Sequence, residues 1–115
     1  MSKATYASLP APMLPPEVVR ENKALLTKLA RKYIWWLTPA EAMNFPARVV
    51  TQVMNIGEFA DVSLMAKALG DDCLRTVLRH AEAGQFNDRS WHYWHYRLGL
   101  AAPGHVPPLP VRRIG

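Results

Sequence analysis

The sequence predicts an all-α protein: one compact bundle of five or six short helices with a proline-rich tail at each end. Three observations lead there. No segment shows the sustained period-two alternation of a half-buried strand. Glycines at 57, 70, 84 and 99 each follow a run of apolar residues in helical spacing. Prolines cluster outside that middle, with Pro10, Pro12, Pro15 and Pro16 before it and Pro103, Pro107, Pro108 and Pro110 after it. Proline fixes φ and removes a backbone donor, so both ends read as extended tails. The chain divides into an N-terminal tail 1–15, a helical domain 16–100 and a C-terminal tail 101–115.

The first helix is expected from Pro16 to Tyr33 or Trp36. Val18, Leu25, Leu26, Leu29 and Tyr33 share one side of it, and Arg20, Lys23, Lys28 and Arg31 the other. Thr38, Pro39 and Glu41 spell a capping box with proline at N1, starting a short turn of helix. Pro46 opens the next helix, which runs to Ile56. Further helices are expected over Val62–Leu69, Asp72–Ala83 and Arg89–Leu98. Asp61, Asp71 and Asp88 each follow a glycine within four residues. Each glycine therefore reads as a left-handed helix end and each acid as the cap of the next helix.

At 100° per residue the last helix, which carries most of the stretch SWHYWHYRLGL, splits by face. Trp91, Trp94 and Leu98 fall together with His95 at their edge. Tyr93, Tyr96, Arg97 and His92 take the other side. The Trp face is expected in the core, with Trp35 and Trp36 as its partners, because large buried rings stabilise a small domain most.

Composition bounds the function. Half of the 115 residues are hydrophobic and a fifth charged, which fits one globular domain. No apolar run is long enough to span a membrane, and the N-terminus lacks the apolar core of a secretory signal. The one cysteine, Cys73, has no internal disulfide partner, so a reducing, cytoplasmic location is expected. The net charge of +5 permits acidic partners. No Gly-rich phosphate loop, GxSxG or recognisable acid pair occurs, so no enzyme is expected. His92 and His95 lie three apart, but zinc takes at least three protein ligands, and His80 and His105 are distant in sequence. No metal and no cofactor are expected. Cys73 reads as a helix-core thiol whose pKa Asp71 and Asp72 raise.

Three surfaces are candidates for binding. Tyr93, Tyr96 and Arg97 form either a half-buried pair beneath the C-terminal tail, a protein interface, or a stacking surface for bases. Arg20, Lys23, Lys28 and Arg31 form either a solvated stripe or a docking face for an acidic protein or phosphate backbone. The tail PPLPVRR matches PxxPxR through Pro107, Pro110 and Arg112, with Arg113 following; it reads either as a groove ligand or as a segment lying along its own domain or a partner.

From Tyr33 to Leu100 the chain resembles a family of small bacterial helical proteins. The resemblance rests on an aromatic-Trp start, then Arg48-Val49-Val50 with Val53-Met54 one turn on, Gly57-Glu58, and Asp61-Val62. It continues with a helix over Cys73–Ala83, the ending Arg89-Ser90 with Tyr93-Trp94, and the basic proline tail. Such proteins are often encoded beside nucleotidyltransferase-type toxins of abortive-infection systems and are treated as candidate antitoxins. Family members often carry an acid just after the first Trp; here Trp36 is followed by Leu37, Thr38 and Pro39, and the nearest acid is Glu41. The resemblance implies a non-catalytic, protein-binding, antitoxin-like component. The alternative is a small basic helical module that binds nucleic acid.

Overall fold

The computed structural model describes residues 14–111. Among these residues there are seven helices and no strand: α1 Pro16–Glu21, α2 Lys23–Tyr33, α3 Pro39–Ala42, α4 Pro46–Ile56, α5 Phe59–Leu69, α6 Asp71–Arg79 and α7 Asp88–Arg97. The expected first helix breaks once, at Asn22. Its backbone sits at φ −115°, ψ 21°, and its side-chain amide donates to the Val18 carbonyl at 2.9 Å. The side-chain amide shares that acceptor with the Asn22 backbone N–H, which donates to the Val18 carbonyl at 3.1 Å.

Helix α4 is the centre of the bundle, packed against α2, α3, α5, α6 and α7. Pro46 starts it at N1, and it buries Val49, Val50, Val53 and Met54, with Thr51 bonded back to the Ala47 carbonyl at 2.8 Å. Around it α2 contributes Leu26, Leu29, Ala30 and Tyr33; α5 contributes Met65 and Leu69; α6 contributes Leu74 and Leu78; α7 contributes Trp91 and Trp94. These positions recur at three- and four-residue intervals, so each helix buries a single stripe.

The helix ends follow the expected grammar in part. The capping box forms: the Glu41 N–H donates to the Thr38 hydroxyl at 3.1 Å and the Thr38 N–H to the Glu41 carboxylate at 2.9 Å. Gly70 and Gly99 follow the ends of α5 and α7 with φ of 87° and 69°, the left-handed region expected of a helix-ending glycine, whereas Gly84 (φ 85°) lies in a turn beyond the end of α6 and closes no helix. Gly57 departs from this, with an extended backbone at φ −67°, ψ 149°. What requires glycine there is space. A Cβ at residue 57 would run into the Val53 carbonyl oxygen and stand 2.8 Å from Val53 Cγ1 and 2.9 Å from Val62 Cγ2.

The acidic caps are also corrected. Asp61, Asp71 and Asp88 lie within first turns, where they still favour the helix dipole, and none is the N-cap. Asn87 caps α7 by accepting from the Ser90 N–H at 2.8 Å. Helix α6 stops at Arg79, short of Ala83, because a turn closed by Glu82 N–H to the Gln85 side-chain oxygen (2.7 Å) intervenes.

The largest correction concerns Trp35 and Trp36. They do not join the core: Trp35 is 77% exposed and Trp36 55%. Helix α2 ends at Tyr33 and the chain turns through 34–38, where Leu37 N–H reaches the Ile34 carbonyl at 3.1 Å. Pro39 disfavours a helical Thr38, so helical periodicity cannot carry past this turn. Only Ile34 of the three reaches the core, and the two indoles pack edge-on against each other with centroids 5.6 Å apart.

The C-terminal segment is not a free tail over its described length. Leu100 N–H donates to the His95 carbonyl, and the Trp91 indole donates to the Pro107 carbonyl at 2.7 Å. Val106 and Leu109 are partly buried against the core. Of the two readings of PPLPVRR, this segment lies along its own domain; Arg112 and Arg113 fall outside the described residues.

A polar latch ties α2 to the start of α5. The Tyr33 hydroxyl accepts the Glu58 N–H at 2.9 Å and donates to Asp61 at 2.6 Å, while Lys32 pairs with Asp61 at 2.8 Å and with Glu58. The Lys32 ammonium and the Tyr33 hydroxyl hold the Asp61 carboxyl below its ordinary 3.8. A depressed acid contributes stability that is full above the unfolded-state pKa and lost as pH falls through the folded value. Asp61→Asn is therefore expected to cost about 1–2 kcal/mol at neutral pH, between an exposed ion pair and a buried charge-assisted bond. Thermal melts should show the gap closing as pH drops below about 4. A gap unchanged down to about pH 2 would remove the latch from the account of stability.

Candidate interaction surface

Helix α7 presents two faces, as its periodicity requires. Trp91, Trp94 and Leu98 are buried, and so is His95, which the sequence placed only at the edge of that face. His95 fits there because its Nδ1 contacts the Trp91 carbonyl at 2.7 Å and its ring packs edge-on against Trp91. The outward face carries Tyr93, Tyr96 and Arg97. Arg97 lies over the Trp94 ring at 4.9 Å and donates to the Tyr93 hydroxyl at 3.0 Å, so these two candidates form one unit. Tyr96 belongs to the C-terminal segment, accepting the Gly104 N–H at 3.4 Å. The reading of a tyrosine pair beneath the tail thus fits Tyr96 and not Tyr93.

Tyr93 opens onto a groove between the end of α4, the start of α5 and α7. Ile56, Phe59 and Tyr93 line it with 53%, 81% and 49% of their surface exposed, and Arg89 stands at its edge. The walls are tied together by main-chain carbonyls of α4's last turn. Trp94 donates its indole N–H to the Met54 carbonyl at 2.8 Å, and Ser90 its hydroxyl to the Asn55 carbonyl at 2.8 Å. The Asn55 side chain in turn accepts the Asn87 N–H at 2.9 Å. These carbonyls have no helical donor, because α4 stops at Ile56 and Glu58 N–H goes to Tyr33. A groove with walls held this way presents its apolar side chains on rigid elements, which lowers the ordering cost of binding.

Sequence reasoning missed Ile56, Phe59 and Arg89. Phe59 lies one turn before Val62 on the stripe that α5 buries, so period alone assigns it to the core. It is exposed because α4, the helix that covers this stripe, has already ended at Ile56.

The basic stripe is present and separate. Arg20 lies on α1 and Lys23, Lys28 and Arg31 on α2, all exposed, and none of them lines the groove. Among the described residues none of the four forms an ion pair with a carboxylate; the lysine of this region that does is Lys32, outside the stripe.

The chemistry-bearing side chains stay apart. Among the described residues no three His, Cys, Asp or Glu side chains gather as metal ligands. His92 is tied at Nδ1 to the Asp88 carbonyl at 2.8 Å. Cys73 is partly buried and its thiol is pushed up, but by burial and not by the neighbouring acids. Asp72 is instead engaged with Arg75 at 2.7 Å. No helix among the described residues is long and apolar enough to cross a membrane. No protein-family model, curated protein or solved structure matches this chain.

Proposed function

We propose that the protein is a cytoplasmic, non-catalytic binding component, an antitoxin-like partner that holds another protein in the groove between α4, α5 and α7. The observation that carries this reading is the gathering of Ile56, Phe59 and Tyr93 in one rigid groove, with much of each ring or chain left open. Aromatic and arginine side chains dominate interface hot spots, and contiguous open apolar surface of this kind marks an interaction site. Arg89 and Arg97 favour an acidic rim on the partner. The family resemblance supplies the partner's class: a nucleotidyltransferase-type toxin encoded next to this protein.

Co-purification with the neighbouring gene's product tests it. Phe59→Ala with Tyr93→Ala is expected to weaken the complex about 100-fold or more, the loss typical of two hot-spot side chains. Both positions are exposed, so the melting temperature should stay near that of the parent.

Arg20, Lys23, Lys28 and Arg31, exposed and without an ion pair among the described residues, favour a second reading, a nucleic-acid-binding module. Under it, the parent alone binds a generic duplex with a steep salt dependence, and changing Arg20, Lys23, Lys28 and Arg31 to Gln removes most of that slope. Under the first reading the same variant keeps the protein complex. Tight, salt-sensitive duplex binding without any protein partner would replace the first reading with the second.

A further inference from the structure

The turn that leaves Trp35 and Trp36 outside the core also builds a second groove, on the opposite end of α4 from the first. Its walls are Ile34, Trp36 and Leu37 from the turn and Phe45 from the residue before α4. The charged side chain lining it is Arg48, whose guanidinium lies 4.6 Å from the centre of the Phe45 ring. That stacking holds the planar cation at the groove's edge and leaves its N–H fork free to receive a carboxylate.

Among the described residues Arg48 forms no ion pair. The acids on this side are otherwise engaged: Glu41 accepts the Thr38 N–H at 2.9 Å, and Glu82, which shares a shallow neighbouring hollow with Arg48, bonds Gln85 at 3.3 Å. The guanidinium is therefore open to an acidic occupant from outside. The hollow is about 270 Å³, room for one large side chain, and its lining is mostly apolar, with Thr51, Gln52 and Gln85 beside Arg48.

We propose that this groove is a second docking site, for an acidic peptide segment that inserts one bulky apolar side chain between Trp36 and Phe45 and sets a carboxylate on Arg48. The site is independent of the groove at Tyr93 and stands whether or not that one holds a toxin.

A phage-displayed library of random 12-residue peptides, selected on the full-length protein, tests it, followed by affinities of a synthetic copy of the enriched peptide. The enriched peptides are expected to pair Trp, Phe or Leu with Asp or Glu within about one helical turn. Arg48→Gln and, separately, Trp36→Ala should each weaken the synthetic peptide about tenfold or more, while both variants melt with the parent. Tyr93→Ala should leave the affinity unchanged. The proposal is overturned by no enrichment, by enrichment without an acidic bias, or by an affinity indifferent to Arg48→Gln. It is also overturned if Tyr93→Ala abolishes binding, which would place the peptide in the other groove. A parent dimer in sedimentation that Trp36→Ala converts to monomer likewise overturns it, because a second copy of the chain would then cover this face.

Discussion

Trp94→Ala is expected to cost about 3–5 kcal/mol, the range for removing a fully buried large aromatic. Trp94 is 1% exposed and meets α4 from below. Two losses combine at this site. The deleted ring leaves a cavity beside Tyr93, whose ring packs edge-on at 5.2 Å, and beneath the Arg97 guanidinium. The Met54 carbonyl also loses its donor, in a place where the helix offers no other. A domain of this size has about 5–15 kcal/mol of total stability, so the variant should melt roughly 15 °C or more below the parent, or fail to fold. Trp94→Phe separates the two losses. It keeps most of the packing and strands the carbonyl, and is expected to cost about 1–3 kcal/mol. If Trp94→Ala melts within a few degrees of the parent, the indole is not the keystone of the α4–α7 contact.

Gly57→Ala is expected to cost about 1–3 kcal/mol through overpacking. The backbone at φ −67°, ψ 149° suits alanine, so conformational strain is not the cause. The methyl group instead meets the Val53 carbonyl oxygen and the side chains of Val53 and Val62. The carbonyl cannot swing away freely, because it accepts the Gly57 N–H at 2.7 Å and closes the last turn of α4. Paired with Val62→Ala, the substitution should be less than additive, since the second change clears one of the three obstructing atoms. A melting temperature for Gly57→Ala within about 2 °C of the parent would show that α4 and α5 separate there at little cost.

The readable parts of this fold are those with local signals. Pro46 and Gly57 bracket α4, and the expected and observed bounds coincide. Thr38, Pro39 and Glu41 lie within one turn, so their capping box is written in adjacent residues. The two faces of α7 follow from period alone. What was not readable depends on contacts far apart in the chain. Asp61 reads as a cap until Tyr33 and Lys32, nearly thirty residues earlier, are seen to claim it. Trp35 and Trp36 read as core because of their size, and no glycine marks the stop at Tyr33. The Pro107 carbonyl on Trp91 could not be foreseen, because a segment without period does not announce which side chain it will meet. The candidate groove was half visible. Tyr93 and Arg97 came from the helical wheel, whereas Ile56 and Phe59 became exposed only through where α4 happens to end.

The central position of α4 has a consequence for solubility. Its buried stretch Val49–Met54, VVTQVM, holds four β-branched residues and no charge, proline or glycine. Such residues lose side-chain freedom in a helix and favour extended pairing. The segment is helical because five neighbouring helices surround it, and its own preference is for a strand. Six-residue stretches of this composition are the kind that stack into cross-β aggregates once uncovered. Opening any side of the bundle uncovers part of this one segment. Folding and protection from aggregation are therefore the same event in this protein, and a ligand or partner that clamps the helices around α4 also acts as a guard against fibril-like assembly.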